Sequence, residues 1–199
     1  RRDYMNSKMF IPHNQKIVSL ESLRNRGYSQ YRINKLVAEG NLTKLNKKMY
    51  ENNKYRGNDM DFYFAYAYVP KGVICLQSAA EYYNLSNYIP DAIEVAVPRK
   101  ANISTLPEWP TINLHYFTDE RFLNGIKTIK IDNNQFRIYD LEKTVIDIVF
   151  YREKIGIEEM KEVLTNYLKR ENRNLDKLLK YADILKCGKT IRQYLEVLV

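Results

Sequence analysis

Three residues, Gly27-Tyr28-Ser29, constrain the first third of this chain more than any other stretch. Upstream of them, Ser19 has the side chain to cap a helix over residues 20–26. Leu20 and Leu23 would turn inward, and Gly27 would supply the C-terminal end. Downstream, Ser29 can cap a second helix over residues 30–39, which Gly40 stops. Two short helices joined by a Gly-containing turn of this length have the spacing of a helix-turn-helix. After Gly40, residues 42–45 and 49–51 read as two short strands around the basic turn Asn46-Lys47-Lys48, a wing. Residues 52–59 are polar and read as a linker.

Charge supports this division. The chain has 199 residues and a formal net charge of +8. Residues 1–60 contain 13 Lys and Arg against 5 Asp and Glu, whereas residues 61–199 hold 19 of each sign. The whole excess therefore sits in the helical first third. A basic segment joined to a neutral body suits a polyanionic partner. The bland alternative is a solvated basic surface that serves solubility.

The second helix can be read face by face. Ile33, Leu36 and Val37 form one apolar stripe, and at 100° per residue the opposite side carries Tyr31, Asn34, Lys35 and Ala38. Arg32 and Glu39 flank that side, with Gln30 and the cap Ser29 at the first turn. Such groups can meet base edges and phosphates in a major groove. Arg24 and Arg26 would lie near the backbone, and Lys44, Lys47 and Lys48 on the wing would meet phosphates or an adjacent minor groove. The reading favours double-stranded DNA over a small helical lobe with a solvated face.

From Met60 onward the periodicity changes. Residues 60–68 form an aromatic-rich helix ended by Pro70, and residues 73–76 are a short apolar run. Ser78 and Glu81 have capping-box spacing and open a helix to about Leu85. Residues 93–97, 112–117, 126–131 and 135–139 read as strands, the last two joined by the turn Asp132-Asn133-Asn134. Asp140 caps a helix to about Glu153, and Gly156 breaks it. Three more helices follow, with apolar residues three to four apart. The expected fold class is α+β: an N-terminal winged helix-turn-helix over residues 1–55, then a mixed α/β domain over residues 60–199 that ends in several helices.

Several classes drop out. No apolar run approaches the ~20 residues of a membrane-spanning helix, so no membrane association is expected. The first residues carry no secretory pattern, and two cysteines cannot build a disulfide framework, so a reducing cytoplasm is the expected setting. Neither His13 nor His115 has a Cys or Asp at metal-ligand spacing. No metal and no cofactor are expected.

The order of segments resembles AbiEi-type antitoxins of the abortive-infection E, or type IV, toxin–antitoxin systems. The residues that carry the resemblance are Gly27-Tyr28-Ser29, the run from Leu36 to Tyr50, Pro70-Lys71-Gly72 through Ala80, Ile93-Glu94-Val95-Ala96-Val97-Pro98, Tyr139-Asp140-Leu141-Glu142-Lys143-Thr144-Val145-Ile146-Asp147 and the leucine-rich terminal helices, so that it covers nearly the whole chain. The family's wing often reads Arg-Gly-x-Tyr; here Lys47-Lys48-Met49-Tyr50 stand there, with a lysine in place of the glycine. The resemblance implies a repressor that binds inverted repeats upstream of its own operon as two copies. It also implies a C-terminal domain that counters a nucleotidyltransferase-like toxin without a stable direct complex. Glu142, Lys143 and Asp147 are the candidate residues of that antitoxin domain.

On the residues themselves, Lys143 and Asp147 are spaced i,i+4 and would pair on a helix surface. No glycine-rich phosphate loop precedes them, so a kinase or ATPase reading lacks its cradle. Cys75, in an apolar run, reads as an inert buried thiol. Tyr63, Tyr66 and Tyr68, with Phe62 and Phe64, cover much of one helix. Core packing between domains is the simpler account, and a surface for a partner or for RNA stacking is the alternative. The function expected is a non-enzymatic antitoxin and autorepressor. The alternative is a nucleic-acid-processing enzyme or RNA-binding factor that holds its substrate with the basic module.

Overall fold

A computed structural model describes residues 9–198 of the chain. Arg1, Arg2, Asp3 and Lys8 of the basic segment, and the reading that the first residues hold no secretory signal, lie outside the described residues. The fold is mixed α+β and divides into two compact units. One comprises the residues up to Pro70 with Ile103–Pro110 and Ile129–Phe136; the other comprises Lys71–Asn102, Thr111–Thr128 and the chain from Arg137 onward.

The first unit begins with β1 (Ile17–Ser19), α1 (Leu20–Asn25), α2 (Gln30–Ala38), β2 (Leu42–Lys44) and β3 (Met49–Asn52). Ser19 Oγ accepts the Ser22 N–H at the start of α1, and Ser29 Oγ accepts the Arg32 N–H at the start of α2. Gly27 and Gly40 end the two helices at φ +87° and +72°, a region open to glycine at little cost. The strands form an antiparallel sheet in the order β1-β3-β2. Val18, Leu23, Ile33, Leu42 and Tyr50 are its buried core, with Leu20, Tyr28, Leu36 and Val37 packed around them. Strand β1 was not foreseen: three residues are too few to show alternation.

The turn between β2 and β3 is made by a side chain. Asn46 Oδ1 accepts the N–H groups of Lys48 and Met49 at 2.9 and 3.0 Å. Positive φ is confined elsewhere, so Lys48 sits in this turn without strain. Residues 52–59 are more ordered than a linker. Asn52 is buried and its amide donates to the carbonyls of Pro12 and Gln15. Lys16 pairs with Glu51 and Asp59 at 3.0 and 3.1 Å.

Helix α3 (Phe62–Tyr68) completes this unit and buries Tyr63 and Phe64. Phe62 and Tyr63 meet the Phe136 ring at 5.3 and 6.1 Å, and Phe64 meets Trp109 at 5.9 Å. The aromatic excess of α3 is thus core packing within the unit. Lys16 N–H donates to Asn134 Oδ1, Asn133 Nδ2 to Asn14 Oδ1 and Gln135 Nε2 to the Tyr66 hydroxyl. These contacts and the Trp109 ring bring two later segments into the unit, which a boundary at residues 55–60 does not include.

The second unit holds β4 (Val73–Ile74), α4 (Leu76–Tyr82), β5 (Ile93–Pro98), β6 (Ile112–Phe117) and α5 (Asp119–Leu123). The hairpin strands β7 (Ile126–Ile131) and β8 (Asn134–Tyr139) follow, their tip counted with the first unit. The sheet order is β6-β5-β4-β8-β7. Strands β5 and β6 run parallel, as do β4 and β8, while β4 and β5 are antiparallel.

The helices α6 (Leu141–Phe150), α7 (Arg152–Ile155), α8 (Ile157–Leu168), α9 (Leu175–Ile184) and α10 (Gly188–Leu198) close the unit. Every residue of α6 from Leu141 to Val149 is buried, so this helix is the spine of the core. Asp140 caps it by accepting the Lys143 N–H. It stops at Phe150 rather than Glu153, and Gly156, at φ +120°, separates α7 from α8.

Ser78 does not cap α4. The helix opens at Leu76 directly after β4, and Ser78 lies inside it with its Oγ accepting the Glu94 N–H at 2.9 Å. A serine that meets a neighbouring strand leaves the same local pattern as one that caps a helix.

Candidate nucleic-acid interface

Helix α2 is held on one side by Ile33, with Leu36 and Val37 partly covered, and presents its other side to solvent. Gln30, Tyr31, Arg32, Asn34 and Lys35 are all exposed, Tyr31 by 77 %. Gln30 Nε2 donates to Asn34 Oδ1 at 3.0 Å, one turn along. Lys35 faces Glu39 at 3.8 Å, an exposed pair that ties its ammonium only loosely.

The remaining basic residues divide by their partners. Lys44, Lys47 and Lys48, on β2 and its turn, are exposed, as is Arg24 near the end of α1. Arg26 departs from the expected role. Its guanidinium donates to the Phe10 carbonyl and to Gln15 Oε1 at 3.0 and 2.9 Å, fixing the segment before β1 to the end of α1. Arg32 is exposed but its guanidinium contacts Met9 Sδ. Ser29 uses its oxygen on the α2 cap, which leaves its hydroxyl hydrogen to offer.

Lys16 is the buried cation of this unit. Burial opposes its charge, but the carboxylates of Glu51 and Asp59 hold its pKa above the ordinary lysine value. Sequence reasoning also passed over Asn53. Its amide donates to the Gly40 carbonyl and to Thr43 Oγ1, tying the end of α2 to the strand pair. An asparagine in a polar run gives no local sign of such a contact.

The second unit places Glu142, Lys143 and Asp147 in its interior rather than on a helix surface. Lys143 and Asp147 do pair, both fully buried. Arg121, from α5, joins the same carboxylate and donates to the Leu185 carbonyl at 2.9 Å. The Lys143 ammonium also lies over the Tyr139 ring, 3.8 Å from its centroid. Burial drives the Lys143 pKa below its usual value; Asp147 opposes that and Arg121 reinforces it. Glu142 accepts from the Asn174 N–H and the Tyr167 hydroxyl at 3.2 and 3.4 Å and pairs with Lys177 at 3.2 Å. Lys143 and Asp147, so enclosed, build the domain and present nothing to a macromolecular partner, while Glu142 reaches the wall of a cleft.

Clefts open on this unit, one of about 310 Å³ beside Arg121 and Phe150 and two that are more polar. One, of about 410 Å³, is lined among others by Lys127, Asp140, Glu142, Arg170 and Lys177, with its charges largely paired. The other, of about 360 Å³, contains Glu94, Asn113, His115 and Lys154. Glu94 accepts from Asn113 Nδ2 at 3.2 Å and contacts His115 Nε2. Cys75 is fully buried, and burial pushes its thiol well above the usual cysteine pKa, which leaves it unreactive. Among the described residues no three His, Cys, Asp or Glu side chains converge as a metal site, and no helix is long and apolar enough to cross a membrane.

Comparison with known proteins extends the fold but not the function. No protein-family model matches the chain. No curated protein matches it either. Among solved structures it is similar to the Rv2827c protein from Mycobacterium tuberculosis, with a TM-score of 0.50 and 15% sequence identity, over 87% of this chain and 72% of that one. At that identity the likeness is one of fold alone: the α+β arrangement of this chain has a counterpart in a crystal structure.

Proposed function

We propose that this chain is a DNA-binding antitoxin that represses its own operon. In this reading α1, α2 and the β2–β3 hairpin form a winged helix-turn-helix. Helix α2 enters the major groove, and Lys44, Lys47 and Lys48 on the wing meet the phosphate backbone. Two copies occupy an inverted repeat in the operator. The second unit counters a nucleotidyltransferase-like toxin without a stable complex between them, in a cytoplasmic setting, with no cofactor and no catalytic step of its own.

The observation that carries the DNA half is the outward face of α2. Gln30, Tyr31, Asn34 and Lys35 are all exposed there, in the segment that holds the chain's entire charge excess. A helix that puts amide, phenol and ammonium groups outward over an apolar underside is equipped to read a groove. The antitoxin half is supported by the order of matched segments from Gly27 to Asp147.

The test is a mobility-shift titration on the DNA upstream of the operon across a salt series. Specific binding is expected to survive competitor DNA and to weaken steeply with salt. The double substitution Lys35→Ala with Lys47→Ala, at exposed positions, is expected to lower operator affinity at least tenfold without altering the unfolding midpoint. Unchanged affinity in that variant removes α2 and the wing from the interface. Neutralisation is read separately, by growth rescue on co-expression with the toxin encoded beside it.

A further inference from the structure

We infer that the sequence preference of α2 is for adenine, read by the side-chain pair Gln30–Asn34. The inference rests on the DNA-binding reading above and names what that surface recognises. One hydrogen bond joins the two amides across a turn of the helix, with Gln30 Nε2 donating to Asn34 Oδ1 at 3.0 Å. Each amide offers one carbonyl acceptor and two N–H donors. The bond between them leaves the Gln30 carbonyl as the one oxygen with no bond to the partner amide, and N–H donors on both residues, two of them on Asn34. Reversing the pair exchanges the two residues and leaves the same complement.

That complement matches one base. In the major groove adenine shows an acceptor at N7 beside a donor at N6, whereas guanine shows two acceptors, N7 and O6. A donor and an acceptor held side by side satisfy adenine and set an oxygen against O6 of guanine. The bond also restrains two side chains that would otherwise be ordered only on binding, so part of that entropy is already lost in the free protein.

The cations near α2 point the same way. Guanine is read most often by Arg or Lys placed over N7 and O6. Arg26 is committed to Phe10 and Gln15 and Arg32 contacts Met9, while Lys35, tied only loosely to Glu39, is left to meet a phosphate. Other exposed cations, among them Arg24, Lys44, Lys47 and Lys48, lie on α1 and the β2–β3 hairpin and not on α2. They suit phosphates, which leaves base reading to amides and to Tyr31. The Tyr31 ring, 77 % exposed on the same helix, can cover a thymine methyl group.

The experiment uses the full-length protein in three steps. Selection from a random-sequence duplex library gives a consensus. That consensus duplex is then remade with each adenine in turn replaced by 7-deazaadenine, which lacks the N7 acceptor. Finally, wild type and Asn34→Ala are titrated against the set. An A·T-centred consensus is expected, with one or two replacements per half-site costing wild type about tenfold in affinity. Asn34→Ala is expected to bind the unmodified consensus about tenfold more weakly and to be indifferent to those replacements. Its salt dependence should equal that of wild type, because no phosphate contact is removed.

A consensus read through G·C pairs, or adenine replacements that cost wild type nothing, overturns the inference while leaving DNA binding standing. Absence of binding to any duplex overturns the DNA reading itself and the inference with it. Loss of folding in Asn34→Ala is checked by its unfolding midpoint. If it falls, Gln30→Ala serves as the second variant: it loses the acceptor that meets adenine N6 but keeps the Asn34 donors, so it is expected to bind the consensus about tenfold more weakly and to keep the cost of the 7-deazaadenine replacements.

Discussion

Asp147 is asked to neutralise two cations. Lys143 and Arg121 both reach its carboxylate, and all three are buried. One carboxylate cannot balance both, and burial drives the lysine below its usual pKa. Removing the shared anion is expected to be severe. Asp147→Asn should cost about 3–5 kcal/mol in urea unfolding, because it strands the Arg121 charge in the core. Lys143→Met keeps the Arg121–Asp147 pair and an apolar stem beside Tyr139, so it should cost less than about 1 kcal/mol.

The lysine also fixes a pH dependence. In the unfolded chain Lys143 titrates near 10.5, and in the folded chain at a lower pH. Between those values the unfolded state binds more protons, so stability rises with pH through that window. Above pH 10 the sign reverses as the buried Tyr139 and Tyr167 and the half-buried Tyr83 and Tyr181 take over, since folding raises their pKa values. A series of unfolding midpoints in wild type and Lys143→Met should show the rising limb in the first and not in the second. The i,i+4 spacing of Lys143 and Asp147 was plain in the sequence. Their burial was not, because the third member, Arg121, lies 26 residues from Asp147.

At the scale of elements, the legible features were those that carry their own punctuation. Ser19 and Ser29 cap α1 and α2, Asp140 caps α6, and Gly27 and Gly40 end their helices, all in local patterns that need no tertiary knowledge. Ser29→Ala is accordingly expected to cost about 1 kcal/mol, read as a lower unfolding midpoint, with fraying confined to the first turn of α2 in hydrogen exchange. The elements that escaped were short: β1 with three residues and α5 with five. Ser78 misled because its hydroxyl meets β5 and not its own helix. Of the candidate interface, the exposed side of α2 was readable from periodicity, since Ile33, Leu36 and Val37 mark the opposite side. The withdrawal of Arg26 was not, because Gln15 and Phe10 approach it from another part of the chain.

For the molecule as a whole, net charge overstates what is available to a polyanion. Lys16 and Arg26 are spent inside the first unit. Lys44 and Lys48 stand exposed. Replacing each of that second pair by Ala is expected to reduce the slope of log affinity against log salt by about one. Lys16→Ala is expected to leave the slope unchanged and to lower the unfolding midpoint. A truncation that starts at residue 60 is the wrong instrument for separating the two proposed activities. It would leave behind α3, Trp109 and the tip of the β7–β8 hairpin, which belong to the first unit. Point substitutions on α2 and the β2–β3 hairpin keep both units whole.

The interrupted path of the first unit also sets an order of events during synthesis. Its own small core lies between Val18 and Tyr50, which is little apolar surface to hold a fold. Asn133, Asn134, Gln135 and Phe136, which meet Asn14, Lys16, Tyr66, Phe62 and Tyr63, leave the ribosome much later. The basic segment is therefore translated first and completed late, after loop closures that grow slower with chain separation. A nascent chain halted before residue 136 would carry all of the charge and only part of the structure that aims it.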